Sequence, residues 1–116
     1  MNAIRLKRAY DTPHADDGIR ILVERLWPRG VSRDKAALDH WVKDIAPSPE
    51  LRKWYGHEPD KWPEFQERYR RELSGHAEAL AKLRSICAAG EVTFVYAAKD
   101  ELRNSATVLR AYLTGE

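Results

Sequence analysis

Cysteine is almost absent from this chain: Cys87 stands alone among 116 residues. That excludes an internal disulfide and fits a reducing compartment. Net charge is scarce as well. Twenty Lys and Arg offset eighteen Asp and Glu, leaving a formal charge of +2. The pI is about 8.8, yet so small an excess carries no strong nucleic-acid signature. No apolar run is long enough to span a bilayer. The opening Met1-Asn2-Ala3-Ile4-Arg5-Leu6-Lys7-Arg8 interleaves charge where a secretory leader would need an apolar stretch. The expected location is cytoplasmic, with no membrane partner. No Gly-rich phosphate fingerprint occurs, so neither a dinucleotide fold nor a P-loop is supported. The histidines are scattered without ligand spacing, so neither a metal nor a cofactor is expected.

What is present is ordinary globular material, 43% hydrophobic and 33% charged. The length suits one domain over 1–116 whose core needs no staples. Ile4 to Tyr10 alternates at period two, as a half-buried strand does, and Ile19-Arg20-Ile21-Leu22-Val23 is aliphatic enough for a central strand. Ser32 is placed to cap a short helix through Ala37. Leu38 to Asp44 fits a helix or an edge strand equally well. Ser48 and Pro49 open a helix reaching Tyr55-Gly56. Trp62, Phe65, Tyr69 and Leu73 share one face of the next helix, which breaks at Ser74-Gly75. A further helix runs from about His76 to Ala89. Val92 to Ala97 is apolar on both faces, the pattern of a sheet covered on both sides. A last helix aligns Ala106, Leu109 and Leu113. This order predicts an α/β fold: a three- or four-stranded, largely parallel sheet with helices on both faces.

In such sheets ligands bind beyond the carboxyl ends of the strands. Two segments would meet there. Arg25, Trp27 and Arg29 follow the second strand, and arginines suit bidentate phosphate or carboxylate contacts; Trp27 is equally suited to plugging the core. Lys99 and Asp100 follow the Val92 strand, with Asn104 near the start of the last helix. A lysine beside a helix amino terminus favours an anion between them. Residues 1–35 also have a mild basic bias. His57, after Trp54-Tyr55-Gly56, is the histidine best suited to proton transfer, and Asp100 would orient Lys99 or accept a proton. Cys87, between Ile86 and Ala88, behaves as a small hydrophobe.

Several blocks together carry a resemblance: Leu22-Val23-Glu24-Arg25-Leu26-Trp27-Pro28-Arg29-Gly30, Ile45-Ala46-Pro47-Ser48, Leu51-Arg52-Lys53-Trp54-Tyr55-Gly56-His57 and Tyr96-Ala97-Ala98-Lys99-Asp100. Over nearly its full length the chain resembles the YeaO-like branch of the domain-of-unknown-function family 488. The resemblance implies a small bacterial cytosolic α/β protein and no particular activity. The wider family often has a Cys-His pair at the start of the last helix, where this chain has Asn104 and Ser105. The YeaO-like pattern usually reads Glu-His-Asn-Asn where this chain reads Leu102-Arg103-Asn104-Ser105. Thiol or metal chemistry there is put in doubt, and Arg103 adds positive charge instead.

Three functions follow as expectations. The first is a site for a small anionic or nucleotide-type ligand formed by Arg25, Trp27, Arg29, Lys99, Arg103 and Asn104, with His57 and Asp100 as candidate catalytic groups should it turn a substrate over. The second is a non-catalytic regulatory or interaction module for protein or nucleic acid. The third is a metal-handling protein. Whether the chain is an enzyme, and its oligomeric state, are not legible in the sequence.

Overall fold

The computed structural model describes residues 3–115. Four strands, β1 (Ile4–Arg8), β2 (Ile19–Leu22), β3 (His40–Trp41) and β4 (Val92–Tyr96), form an all-parallel sheet in the order β1-β4-β2-β3. The five helices are α1 (Arg33–Ala36), α2 (Pro49–Tyr55), α3 (Trp62–Ser74), α4 (Ala77–Ala88) and α5 (Ser105–Thr114). The α/β expectation holds, with every strand pair parallel. The ambiguous Leu38–Asp44 segment resolves as the two-residue edge strand β3. No helix of the described residues is long and apolar enough to cross a membrane.

Period two in the central strands sends alternate side chains to opposite faces. Ile21, Phe94 and Tyr96 join the main core with the buried faces of α2, α3, α4 and α5. Leu22 and Val95 enter a smaller core with Ala9, closed by Trp27, Leu38 and Trp41. Helices are therefore unequally shared: four cover one face, and α1 with the Trp27 loop covers the other. Local chemistry sets the boundaries. The Ser32 hydroxyl accepts the Lys35 N–H at 3.1 Å, the Ser48 hydroxyl accepts the Leu51 N–H at 3.1 Å, and Pro49 opens α2 where its missing N–H costs nothing. Gly18 is required at the start of β2. Its φ is +66°, and a Cβ there would lie 2.3 Å from the Glu91 carbonyl oxygen.

Tyr69 fastens α3 to the loop before α2. Its hydroxyl donates to the Ile45 carbonyl at 2.7 Å in a fully buried setting, and burial pushes its pKa far up. Tyr69→Phe strands that carbonyl without a donor. The expected cost is about 1–3 kcal/mol, seen as a lower urea midpoint with an unchanged slope. An unchanged midpoint would mean water replaces the hydroxyl there.

Candidate functional site

The chain leaves β2 and β4, which are hydrogen-bonded neighbours, toward opposite faces of the sheet. The segment after β2 runs to Trp27 and α1 on the thinly covered face; the segment after β4 runs to α5 on the other. Divergence of this kind opens a crevice at the carboxyl ends of the strands. A cavity of about 230 Å³ lies there, lined by Glu24 from the end of β2, Ala97 and Ala98 from the end of β4, Arg103, Asn104 and Ser105 at the start of α5, and Arg52, Tyr55 and His57 from α2 and its exit. It falls below the roughly 300–1,000 Å³ of pockets for drug-sized ligands, which sets the scale of an occupant.

Its floor is acidic and fixed. The Glu24 carbonyl accepts the Trp41 indole N–H at 2.7 Å, and its carboxyl Oε1 accepts the Ala97 N–H at 3.1 Å. Among the described residues no other hydrogen bond or ion pair reaches that carboxyl. Burial raises its pKa; the Ala97 N–H and the charges of Arg52 and His57 only partly counter this. Ionised Glu24 therefore costs stability: as pH rises through its titration the folded state gives up a proton less readily than the unfolded one, and stability falls.

The rim is cationic. Arg52 sits in the last turn of α2, exposed and without an ion pair among the described residues. Arg103 is held by Asp100, whose Oδ2 accepts its Nε–H at 2.9 Å while Oδ1 accepts the Leu102 and Arg103 N–H groups, both at 2.9 Å. The Arg103 and Leu102 donors hold the Asp100 pKa down to about 2. His57 reaches the rim because Gly56 and His57 are both left-handed, with φ of 53° and 58°; glycine tolerates this freely, and histidine adopts it more readily than most residues. Tyr55 forms an aromatic wall, its ring stacked on Phe65 at 4.5 Å.

The structure brings together some of the sequence candidates and not others. His57, Arg103 and Asn104 line the cavity. Asn104 is there as the cap of α5: its Oδ1 accepts the Thr107 N–H and its Nδ2 donates to the Asp100 carbonyl, each at 3.0 Å. Asp100 orients Arg103 rather than Lys99, and its depressed pKa makes it a poor proton acceptor near neutrality. Arg25 turns away, donating to the Ala46 and Pro47 carbonyls at 3.1 and 3.3 Å. Trp27 packs edge-on against Trp41 at 5.4 Å and donates to the Val31 carbonyl at 2.6 Å. Arg29 and Lys99 are exposed and line no part of the cavity. The expected gathering of Arg25 and Arg29 with Lys99 is thus not what the fold builds; Arg52 and Arg103 take that place.

Sequence reading missed Glu24, Arg52, Tyr55 and Ser105. Only Glu24 left a signal, as an acid directly after three buried aliphatics. Such a residue must either be desolvated or face a crevice. For a metal, the described residues contain no group of three His, Cys, Asp or Glu side chains that could hold one.

Comparison with known proteins places this geometry in a family. The chain is similar to the uncharacterised protein Rv3073c of Mycobacterium tuberculosis H37Rv, 44% identical over 112 residues that cover 97% of this chain and 94% of that protein. It is also similar to the uncharacterised protein YeaO of Escherichia coli K12, 43% identical over 110 residues, covering 95% and 96% respectively. No solved structure matches. The model of the family described as the "Inactive DUF488-N3 subclade" matches residues 3–116, and the chain belongs to that subclade of DUF488.

Proposed function

We propose that the protein is a binding module for a small anionic or nucleotide-type ligand, held without turnover in the cavity at the carboxyl ends of β2 and β4. One observation carries this reading: two arginines, Arg52 and Arg103, line a single cavity together with the first residue of α5. The opening N–H groups of a helix lack intrahelical acceptors and, with its dipole, favour an anion. Asp100 keeps the Arg103 fork in place, which lowers the entropy lost on binding. Absence of turnover is supported by the subclade's description as inactive.

A thermal melt tests the reading. Inorganic phosphate should raise the midpoint progressively with concentration, the added stability following mass action and reaching about 2.7 kcal/mol at a hundred times Kd. Sodium chloride of equal ionic strength should not, and Arg103→Ala should abolish most of the rise. Equal effects of phosphate and chloride would refute a defined anion site.

The interaction-module reading has one observation in its favour. The three large hydrophobic side chains that are most exposed, Tyr10, Leu26 and Leu102, all lie in loops at the carboxyl ends of strands. An exposed apolar group beside a cationic rim would suit a macromolecular partner that closes over an occupied cavity.

A further inference from the structure

The geometry points to Glu24 as the group that selects the ligand: the occupant is an anion that also carries an N–H donor, its anionic end between Arg52 and Arg103 and its donor end on the Glu24 carboxylate. This deepens the anion-site reading and rests on it. An anion site needs no acid, and an acid in its floor repels a plain phosphate. Yet Glu24 is held there from two directions, through its backbone by Trp41 and through Oε1 by the Ala97 N–H. That leaves Oε2 as an acceptor with no protein donor among the described residues, on a side chain whose residue lines the cavity. Its anchoring lies entirely in the sheet layer, whereas the cations come from α2 and the loop before α5. Acceptor and cations therefore sit on different elements around one small space. A plain anion satisfies only the cationic end. A molecule with an anionic group and an amine, amide or amino-substituted ring satisfies both, and Tyr55 adds an aromatic side chain to the same lining.

Two source classes share this chemistry, an aminoalkyl phosphate and a nucleotide with an amino-bearing base, and paired probes separate them. 2-Aminoethyl phosphate and phosphoglycolate exchange an ammonium for a carboxylate on one skeleton. Cytidine 5′-monophosphate and its N4,N4-dimethyl derivative differ in the exocyclic N–H donors, a known partner for Glu, and in no other donor. Titration calorimetry should show the donor-bearing member of the binding pair favoured by about ten- to a hundredfold, the equivalent of one hydrogen bond to a charged group. Glu24→Gln keeps Oε1 for Ala97 and puts an amide N–H at the place of Oε2, so it should erase or reverse the preference. The variant should unfold at the same or a higher temperature, since a neutral amide is cheaper to desolvate than a carboxylate. That melt separates lost selectivity from lost structure. Phosphate binding with equal affinities within both pairs, or a preference untouched by Glu24→Gln, overturns the role of Glu24 and leaves the anion site standing. No binding by any probe, inorganic phosphate included, overturns both.

Discussion

Asp17→Ala is expected to destabilise the protein by about 3–5 kcal/mol, the usual consequence of leaving one half of a buried ion pair without its partner. Asp17 and Arg20 are 6% and 3% exposed. The Asp17 carboxylate accepts from Arg20 at 2.6 Å, from Lys7 at 3.0 and 3.1 Å and from the His14 N–H at 3.1 Å. Its carbonyl accepts the Thr93 hydroxyl at 2.8 Å, so one residue ties β1, β2 and β4 together. Arg20 spends its other donors on the Ala36 carbonyl, at 3.1 and 2.8 Å, and holds α1 against the sheet. Removing the carboxylate leaves a guanidinium with no counter-charge in a closed site. Against a total of about 5–15 kcal/mol this is a large share, and the melting midpoint should fall by roughly 10 °C or more. The pH dependence has a definite sign. Burial by itself raises the Asp17 pKa, but the His14 N–H, Lys7 and Arg20 together outweigh it and the net shift is downward. Asp17 therefore contributes fully above its unfolded pKa of about 3.9, and that contribution is lost as pH falls through the lower folded value. Chemical denaturation of the native protein and Asp17→Asn from pH 6 downward should show the native protein losing more stability. Parallel curves would contradict the pairing.

Arg52→Glu is expected to weaken phosphate binding by at least tenfold to a hundredfold. It removes one charge-assisted hydrogen bond, worth about 1.5–3 kcal/mol, and places a like charge at the cavity rim. Fold stability should change less, because Arg52 is exposed and contributes structurally only as a cation in the last turn of α2 and as a partial counter-charge to Glu24. Calorimetric titration beside a denaturation curve separates the two effects. Unchanged affinity would remove Arg52 from the site.

The fold was legible where a single residue type decides local geometry. Ser48 with Pro49 can begin a helix and do little else so well, and Val92 to Tyr96 is too apolar for anything but an interior strand. β3 was not legible, because two residues are too few to establish a period and its pairing with β2 is a tertiary fact. The site was half legible for a similar reason. The strand ends and the α5 cap lie close in sequence to the residues that mark them. Arg25 has backbone carbonyls as partners, and no residue type announces these. Arg52 and Arg103 line one cavity only because α2 returns to it, a juxtaposition that no spacing along the chain encodes. Glu24 carries no cue beyond following three aliphatics, and only the fold turns its neighbour Arg25 out and the acid in.

A phosphate titration followed by amide and arginine side-chain NMR locates the anion most directly. The expected result is saturable shifts confined to the Arg52 and Arg103 side chains and to the backbone amides of Ala97, Ala98, Ser105 and Ala106. Shifts centred instead on Arg25, Arg29 and Lys99, or spread evenly over exposed cations, would contradict a built site at the ends of β2 and β4.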